Sequence, residues 1–321
     1  MGGSLRGAPA RGHRPEGDLS ASATLGCIDI GSNTTRLLVA QCEQGALREL
    51  ATQRAFTCIG KSLKKDGRIP KKKIEEIAAV VDAQSRVARE SGAEQLVTVA
   101  TAVIRDAPNG DALAEAVRRS GGGDLRVVSG EEEARLAFVG AARTLAAPAD
   151  GTLGVVDVGG GSTEIAVGEG DGRVSWSASF RIGSGFLADS YLRSDPPAVS
   201  ELEAVRRHVE GCFEGLEPPR PQQAVAVGGT AASLRRLLGA ELEHETLERG
   251  IRVLSSTTIA DIAARFELDP VRVRLLPAGI LVLEALSDVL DMPLRIACGG
   301  LREGVILELV EGRLPALAVS G

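Results

Sequence analysis

The sequence contains few aromatic residues, with one Trp, one Tyr and six Phe among 321 residues. So few rings leave little surface on which unpaired bases can stack, and a nucleic-acid partner is therefore not expected. Long apolar runs are also missing. The longest apolar stretch, residues 276–290, is interrupted by Glu284 and Asp288, whereas a membrane-spanning helix needs about 20 predominantly apolar residues. We therefore expect neither nucleic-acid binding nor insertion into a membrane.

Cysteine and histidine are scarce and scattered. The five cysteines are odd in number and never stand in Cys-X-X-Cys spacing, and the three histidines are far apart. These patterns argue against a disulfide framework and against a zinc site. Residues 1–24 lack the apolar segment of an export signal, so we interpret them as a disordered tail. Free cysteines beside apolar runs are typical of a reducing compartment, and we expect a cytoplasmic protein.

The overall composition is that of a globular protein, with 44% hydrophobic and 25% charged residues and a net charge of −6. The length is sufficient for two domains of about 100–200 residues. Two segments suggest a duplicated domain: CIDIGSNTTRLLVA begins at Cys27, VVDVGGGSTEIAVG begins at Val155, and they align without a gap so that Asp29 matches Asp157. Each segment has the pattern of a strand, a turn of small residues and a second strand.

Strands and helices alternate after each of these two segments. Hydrophobic patterns predict strands at 96–100, 125–128, 224–227 and 294–297. They also predict helices at 71–90, after 109, at 200–216, near 230 and 257, and at 278–289. Alternation of this kind predicts an α/β fold in which both halves have the same layered architecture.

The second segment contains a glycine-rich turn, Gly159–Gly161, followed by Ser162 and Thr163. Glycine lets a ligand approach the backbone amides closely, so this turn can surround a phosphate with N–H groups and two hydroxyls. The glycines lead into a strand and lack a Gly-Lys-Ser/Thr sequence, which excludes a P-loop and a dinucleotide fingerprint. Alone, the run predicts only a turn. A second hairpin of the same design favours phosphate binding.

An aspartate ends the first strand of each hairpin, at Asp29 and Asp157. A lone aspartate at such a place can simply accept hydrogen bonds from the turn. Beside a phosphate, however, a carboxylate needs a cation to offset the repulsion, and Mg²⁺ held by one or two carboxylates is the usual solution. Glu164 aligns with Arg36, so one hairpin supplies a second acid where the other supplies positive charge.

Three consecutive glutamates follow the strand predicted at 125–128. Ser129 and Glu132 have capping-box spacing, and Glu131 falls in the first helical turn, where the helix dipole favours an acid. Glu133 has neither function. By elimination it is the best candidate for a functional carboxylate, with a solvent-exposed helix face as the alternative.

Two further clusters lie at the ends of predicted strands. Arg105 follows the strand at 96–100, at the edge where open α/β sheets bind ligands. Gly228, Gly229 and Thr230 form a strand-to-helix turn, and the N-terminus of a helix attracts anions. Each cluster alone is a weak signal, but together they supply donors to one ligand cleft.

A basic segment contrasts with the acidic net charge of the chain. Its members are Lys61, Lys64, Lys65, Arg68, Lys71, Lys72 and Lys73. A solvated surface is the simplest interpretation of such a segment. The alternative is a track for a long polyanion, because local positive charge attracts anions even on an acidic protein.

The chain resembles the exopolyphosphatase/guanosine pentaphosphate phosphatase family, within the wider actin, hexokinase and chaperone-ATPase fold. The resemblance covers residues 26–312, and its motifs are IDIGSNTTRLLV, ATAVIRDAPNG, SGEEEARLAF, VDVGGGSTEIAVG, VGGT and GGLREGVIL. It implies the short type of member, with two duplicated actin-like (ribonuclease H-like) α/β domains and an interdomain cleft. The implied domains are residues 25–130, with a helix at 302–312 as a candidate addition, and residues 131–301.

The resemblance implies Mg²⁺-dependent hydrolysis of the terminal phosphoanhydride bond of inorganic polyphosphate, with release of orthophosphate. It implies that Glu133 is the catalytic glutamate and that Asp157 and Glu164 hold the metal and position water, with Asp29 as a further candidate ligand. The candidate phosphate-binding residues are Ser32, Asn33, Thr34, Arg105, Gly159, Gly160, Gly161, Ser162, Thr163, Gly228, Gly229 and Thr230.

Three alternatives to an exopolyphosphatase stay open. The first is hydrolysis of guanosine pentaphosphate, for which the sequence shows no guanine pocket. The second is a kinase of the same fold, which would need an adenosine site and a phosphate acceptor. The third is a polyphosphate or nucleotide sensor without catalysis, against which Glu133, Asp157 and Glu164 argue. The oligomeric state is equally open, and a homodimer is compatible with the sequence.

Overall fold

The computed structural model describes residues 23–43 and 45–314, and within these ranges the chain forms eleven strands and thirteen helices. Most of the predicted N-terminal tail, residues 1–22, lies outside the described residues. Ala23 and Thr24, which the prediction also assigned to the tail, instead begin the first strand. No helix within the described ranges is long and apolar enough to cross a bilayer.

The first half of the chain forms a five-stranded sheet with its helices. Its elements are β1 (Ala23–Ile30), β2 (Thr35–Glu43), β3 (Ala46–Ala55), α1 (Ile59–Ser62), α2 (Lys71–Glu90), β4 (Gln95–Ala100), α3 (Ala102–Arg105), α4 (Gly110–Arg119) and β5 (Leu125–Val127). The strand order is β3-β2-β1-β4-β5. The first three strands are antiparallel, and β4 and β5 run parallel to β1.

The second half repeats this arrangement. Its elements are α5 (Gly130–Thr144), β6 (Thr152–Val158), β7 (Thr163–Glu169), β8 (Val174–Phe180), α6 (Ser184–Tyr191), α7 (Val199–Phe213), β9 (Gln223–Val227), α8 (Gly228–Leu238), β10 (Glu241–Leu242), α9 (His244–Ser256), α10 (Ile259–Phe266), α11 (Pro270–Val273), α12 (Leu276–Leu290), β11 (Leu294–Ile296) and α13 (Leu301–Val310). The order β8-β7-β6-β9-β11-β10 matches the first sheet, with β10 as an added antiparallel edge strand. The structure therefore confirms an α/β fold with two halves of like topology.

Each predicted hairpin is in fact part of a three-stranded meander. The third strands, β3 and β8, pair antiparallel with β2 and β7, so the prediction of a two-stranded unit was incomplete. Both third strands lie at a sheet edge. The residues of β3 are exposed or partly exposed throughout, so its sequence lacks the buried apolar alternation by which a strand is recognised.

Two helices that belong to different sheets pack against each other. α5 packs on β7 and β8, whereas α13, the helix predicted at 302–312, packs on β1 and β2 of the first sheet. The predicted domain bounds themselves stay a prediction. At the crossing of the two helices, a Cβ on Gly140 would lie 2.8 Å from the backbone nitrogen of Gly304, and a Cβ on Gly304 would overlap the carbonyl of Leu136. Glycine at both positions lets the two backbones approach this closely.

Candidate active site

A cavity of about 390 Å³ lies between the two halves, at the ends of β1 and β6. Its lining comes from the β1–β2 turn, the β6–β7 turn, the start of α5, the start of α8 and the segment 296–303. All but three of the predicted site residues line it, and the exceptions are Arg105, Thr163 and Thr230. Asp29 and Asp157 therefore share one crevice, although 128 positions of sequence separate them.

The turns of the two hairpins have the same hydrogen-bonded geometry. In the β1–β2 turn the amide of Gly31 donates to the carbonyl of Thr34 at 3.0 Å. In the β6–β7 turn the amide of Gly159 donates to the carbonyl of Ser162, also at 3.0 Å. The sequence repeat thus produces a repeat of the backbone.

Carbonyl oxygens of both turns are bound by amides of later segments. The carbonyl of Ser32 accepts from Gly60, and the carbonyl of Gly160 accepts from Phe186, each at 2.9 Å. Several amides of the turns, in contrast, have no acceptor anywhere in the described part of the chain. They are the amides of Ser32, Asn33, Gly160 and Gly161. Clustered N–H groups of this kind form an anion-binding concavity.

The two turns also touch each other across the cleft. A Cβ on Gly160 would lie 2.9 Å from the Cβ of Asn33, and a Cβ on Gly161 would overlap the hydroxyl of Ser32. The second turn consists of glycines because the first turn, which carries side chains, occupies the space beside it. The amides of both turns are therefore available to a single ligand.

The acids of the cavity occupy matching positions in the two sheets. Asp29 lies directly opposite Arg36 in the β1–β2 register, and Asp157 lies directly opposite Glu164 in the β6–β7 register. Asp157 is also next to the start of α8, since a Cβ on Gly228 would overlap its carboxylate. The positive end of the helix dipole stabilises a carboxylate at that position.

Burial of these acids raises their pKa values. Burial raises the pKa of Asp157 to about 6, and the charge of Arg36 opposes this shift. Burial also raises the pKa of Glu164 to about 8, and the charge of Asp157 adds to the shift. A hydrogen bond from the Ser179 hydroxyl to Glu164 Oε1 (2.8 Å) opposes it. Glu164 therefore releases its proton at a higher pH than Asp157 does.

Glu133 enters the cavity from the first turn of α5 and is 7% exposed. Ser129 caps this helix, as predicted, by accepting a hydrogen bond from the amide of Glu132 at 3.0 Å. The carboxylate of Glu132 does not complete the predicted capping box, because it pairs with Arg126 instead. Elimination from the sequence thus selected the one glutamate of the three that lines the cavity. Its catalytic role stays a prediction.

Arg105, at the end of α3, contacts Glu133 and does not line the cavity. Its Nη1 donates to the carbonyl of Val128 at 2.7 Å and to Glu133 Oε2 at 3.3 Å. Burial raises the pKa of Glu133 well above its ordinary value, the negative charge of Glu164 adds to the shift, and Arg105 opposes it. A buried carboxyl group with a raised pKa is suited to accept a proton near neutral pH.

Two acids of the cavity fit a magnesium ion. Oδ1 of Asp29 is buried and has no hydrogen-bond partner in the described chain, and Asp157 lines the same cavity. No group of three His, Cys, Asp or Glu side chains within the described ranges could enclose a metal by itself. Mg²⁺ does not require such a group, because one or two carboxylates, water and substrate oxygens usually complete its shell.

Two predicted phosphate ligands use their hydroxyls within the protein. Thr163 donates to the carbonyl of Ile182, and Thr230 donates to the carbonyl of Val158 at 2.8 Å. Both side chains are buried and lie outside the cavity lining. Sequence alone could not separate these hydroxyls from those of Ser32 and Ser162, which do line the cavity.

Comparison with known proteins identifies the family of this chain. The model of the Ppx/GppA phosphatase family matches residues 38–312. The chain belongs to this family. Exopolyphosphatase 1 of Mycobacterium tuberculosis is 30% identical over 313 residues, covering 92% of this chain and 90% of the relative. The crystal structure of the Aquifex aeolicus family member superimposes with a TM-score of 0.78 at 27% identity, covering 92% of this chain and all of that structure.

A longer relative has the name of a different enzyme. Guanosine-5′-triphosphate,3′-diphosphate pyrophosphatase of Vibrio vulnificus is 25% identical over 296 residues. The match covers 88% of this chain but 58% of the relative. This Ppx/GppA phosphatase therefore aligns with only part of that protein.

The structure of this Ppx/GppA phosphatase adds cavity residues that no sequence signal identified as part of the site. They include Arg272, Arg302 and Glu303. The GGLREGVIL motif contains Arg302 and Glu303 but gives no reason to assign them to the cavity. Arg272 and Arg274 stand two positions apart and look equivalent in the sequence. Only the fold shows that Arg272 lines this cavity, whereas Arg274 lines a second one.

The second cavity has a volume of about 530 Å³ and lies on the other side of the two turns. It shares Ser32, Asn33, Gly160 and Gly161 with the first cavity, but none of the acids Asp29, Glu133, Asp157 and Glu164 lines it. Most of its surface is apolar and includes Phe186, which is 46% exposed. We assign the chemistry to the smaller cavity because the carboxylates are there.

The basic segment of the sequence lies beside the second cavity, and one of its members, Lys61, lines it. Lys71 pairs with Glu75 at 3.9 Å, and Lys73 pairs with Glu76 at 2.7 Å, both along α2. Lys71 and Lys72 are exposed and agree with a solvated helix face, whereas the side chain of Lys73 is largely buried and also donates to the carbonyl of Thr57 at 2.9 Å.

Proposed function

We propose that this Ppx/GppA phosphatase is an exopolyphosphatase that hydrolyses the terminal phosphoanhydride bond of inorganic polyphosphate and releases orthophosphate, with Mg²⁺ as cofactor. One observation carries the proposal. Unpaired amides of two duplicated turns converge in a cavity that also contains the buried Glu133. The name of the Mycobacterium tuberculosis relative supports the same reaction.

The terminal phosphate would bind in the cavity where the two turns meet. The amides of Asn33 and Gly160, which lie next to each other at this contact, would donate to its oxygens. Transfer of a phosphoryl group requires little covalent chemistry from the protein, so positioning and charge neutralisation provide most of the catalysis. Holding the phosphate from both turns fixes it for attack in line with the leaving group.

The carboxylates of Asp29 and Asp157 would hold Mg²⁺. When bound there, the ion would neutralise negative charge on the phosphate oxygens. Asp29 then gains a partner for its otherwise unpaired Oδ1. The ion also removes the repulsion between these two acids and an incoming phosphate.

Glu133 would accept the proton of the attacking water. Its raised pKa makes the carboxylate a stronger base than an exposed glutamate. Glu164, whose pKa burial raises, would donate a hydrogen bond to the water in its protonated form. Arg105 holds Glu133 in place through the contact at 3.3 Å.

Glu133→Gln tests this assignment. The variant keeps the shape of the side chain but cannot accept the proton, so we expect kcat to fall by about 10²–10⁴-fold with little change in KM. The measurement is phosphate release from tripolyphosphate and from long chains, with Mg²⁺ and with a chelator. Glu131→Gln is the matched control, because Glu131 is exposed in the same helical turn.

The outcomes separate the proposal from its rivals. A wild-type rate in Glu133→Gln would contradict the role of Glu133. Binding of polyphosphate by wild-type protein without phosphate release would instead indicate a sensor. Release that is unaffected by the chelator would contradict the proposed cofactor.

One feature favours guanosine pentaphosphate as a second candidate substrate. The second cavity is apolar, adjoins both turns and contains the exposed ring of Phe186, so it has the size and surface to accept a purine. The Vibrio vulnificus relative is named for hydrolysis of such a nucleotide. The ratio of kcat/KM values for guanosine pentaphosphate and polyphosphate decides between the two substrates.

A further inference from the structure

Cys58, which lies between β3 and α1, binds Asn33 of the first turn through two hydrogen bonds. Its backbone amide donates to the carbonyl of Asn33 at 3.0 Å. Its thiol donates to Oδ1 of the same residue at 3.4 Å. Cys58 directly precedes α1, but within the described chain its side chain makes no capping bond to that helix. The thiol is therefore used on Asn33 and not on the helix.

These two hydrogen bonds use the acceptors of Asn33 and leave its donors free. The backbone N–H of Asn33 has no acceptor within residues 23–43 and 45–314. Its side-chain Nδ2 is buried and also lacks a partner among the described residues. Buried polar groups are nearly always paired, so a buried donor without a partner indicates a missing acceptor. The oxygens of a phosphate, which only accept hydrogen bonds when ionised, fit two donors on one residue.

The thiol determines which end of the Asn33 side chain faces the protein. A side-chain amide has an oxygen at one end and an NH2 group at the other, so a half-turn exchanges acceptor and donor. Burial raises the pKa of the Cys58 thiol, although the charges of Lys73 and Lys61 oppose the shift. The thiol therefore keeps its proton at neutral pH and selects Oδ1. Without it, the amide can rotate and turn an oxygen toward the phosphate, which repels it.

Cys58 contacts Asn33 from the side of the second cavity. Of the two cavities, half-buried Cys58 lines the second, whereas Asn33 lines both. The second turn is also in contact with Asn33, because a Cβ on Gly160 would lie 2.9 Å from the Cβ of Asn33. The thiol thus acts on a residue of the catalytic cavity without lining that cavity itself.

The backbone of Cys58 has a left-handed conformation, with φ 45° and ψ 46°. Residues other than glycine rarely adopt this conformation, whereas glycine adopts it without a steric cost. Such strain is concentrated at functional sites. A glycine at this position would satisfy the backbone but would leave Asn33 without the thiol.

We propose, on the basis of the proposed function, that Cys58 is a positioning residue that orients Asn33 so that it presents only hydrogen-bond donors to the terminal phosphate. The thiol itself does not contact the phosphate. It fixes Asn33 so that the backbone N–H and Nδ2 both donate to phosphate oxygens. Because these bonds already form in the bound substrate, their loss raises KM more than it lowers kcat.

Cys58→Ala, Cys58→Gly and Cys58→Ser test the inference with tripolyphosphate and Mg²⁺. We expect Ala and Gly each to raise KM by about 3–10-fold, part of the cost of losing a whole hydrogen bond to a charged group, and to change kcat less than about twofold. Ser should stay within about twofold of the wild-type KM, because its hydroxyl also donates. Cys212→Ala is the matched control, since Cys212 is also half-buried but lines neither of these two cavities.

A double-mutant cycle with Asn33→Ala separates positioning from a general loss of structure. Asn33→Ala should raise KM by about 10–100-fold. Cys58→Ala added to it should raise KM by less than about twofold more, because the side chain that the thiol orients is gone. Effects that multiply would show that Cys58 acts independently of Asn33 and would overturn the inference, as would a wild-type KM in both Cys58→Ala and Cys58→Gly.

Thermal unfolding without substrate distinguishes the thiol from the backbone. Cys58→Gly should unfold at a higher temperature than Cys58→Ala, because glycine adopts the positive φ without strain, yet both should have the same raised KM. A KM that returns to the wild-type value in Cys58→Gly would show that only the backbone matters and would overturn the inference.

Binding of orthophosphate, measured by calorimetry, separates this inference from the proposed function. If the wild type releases no phosphate from polyphosphate, the proposed function fails, but its affinity for orthophosphate still decides the role of Cys58. That affinity should fall in Cys58→Ala by about 3–10-fold and stay within about twofold of the wild type in Cys58→Ser. Equal affinities of the wild type and Cys58→Ala would contradict the role of the thiol.

Discussion

The β1–β2 turn and the β6–β7 turn are copies in their backbone but not in their chemistry. Both are closed by the same amide-to-carbonyl hydrogen bond, and both leave amides without protein acceptors. At one register position, however, the first hairpin has Arg36 and the second has Glu164. The shared backbone presents amides to the same cavity from both turns, and at this position one hairpin adds positive charge where the other adds an acid.

The two turns also differ in the size of their side chains. The first carries the side chains of Ser32 and Asn33, whereas the second has Gly160 and Gly161 at the points of contact. Two turns with side chains could not approach as closely. The lack of side chains in the second turn therefore lets both sets of amides face one cavity.

Among the changes that test this comparison of the two hairpins, the largest loss of phosphate release is expected from Arg36→Glu. This change places a glutamate in the first hairpin at the position that Glu164 occupies in the second. The new carboxylate would lie beside Asp29 and add to the acids of the cavity. We expect phosphate release to fall by about 10²–10³-fold and stability at pH 8 to fall by about 3 kcal/mol. Activity assays and denaturation at pH 6 and pH 8 measure these effects.

Arg36→Lys is the matched control for this change, because it keeps the positive charge. It should retain most of the activity and stability. If Arg36→Glu stays within about threefold of the wild-type rate, the two hairpins are interchangeable at this position and the comparison fails.

A smaller effect is expected from Glu164→Gln, which removes the acid of the second hairpin. The pKa of Glu164 is raised from an ordinary value of 4.5 to about 8 in the folded protein. Between these values the folded state holds a proton that the unfolded state has lost, so stability falls as the pH rises through this window. The variant should be as stable as the wild type near pH 4.5. At pH 8 it should be more stable than the wild type, by an amount on the order of a few kcal/mol.

Chemical denaturation from pH 4.5 to 8.5 without substrate measures this difference. Glu169→Gln is the control, because Glu169 is exposed at the end of the same strand. Parallel pH profiles of the wild type and Glu164→Gln would show that Glu164 is not protonated in the folded protein. Phosphate release should fall by about 10–100-fold in the variant, less than in Glu133→Gln.

The smallest effect is expected from Lys71, Lys72 and Lys73, changed together to alanine. Lys71 and Lys72 are exposed, and an exposed pair such as Lys71 with Glu75 contributes about 0–1 kcal/mol, while Lys73 is already held by Glu76 and by the carbonyl of Thr57. KM should change less than about twofold for short and long polyphosphate alike. A rise in KM that grows with chain length would instead support the alternative of a polyanion track.

Local signals in the sequence predicted much of the site. The gapless repeat located both turns, and the cap at Ser129 left Glu133 as the unexplained acid, which the structure places in the cavity. Other features depend on packing that no local pattern encodes. The partner of Arg274, Asp189, lies 85 positions away in the chain, and nothing near Arg272 in the sequence shows that its Nε has no acceptor in the described chain.

The unpredicted strand β3 and the incorrect placement of Thr163 both concern which face of a strand is buried. β3 is an exposed edge strand, so no buried face imposes an apolar alternation on it. Thr163 was grouped with Ser162 because both follow glycines, but successive residues of a strand point to opposite faces. One hydroxyl therefore faces the cavity, and the other is used inside the fold.

The crossing of α5 and α13 has a mechanical consequence. With glycines at the contact, Gly140 and Gly304, the two backbones meet directly, so an added side-chain atom there would push the two helices apart. Glu133 lies two helical turns from this contact, on α5, which packs against the sheet of the second half. Asp29 lies in the other sheet, on which α13 packs. A methyl group at Gly304 would therefore change the distance between Glu133 and the bound phosphate without contacting either of them.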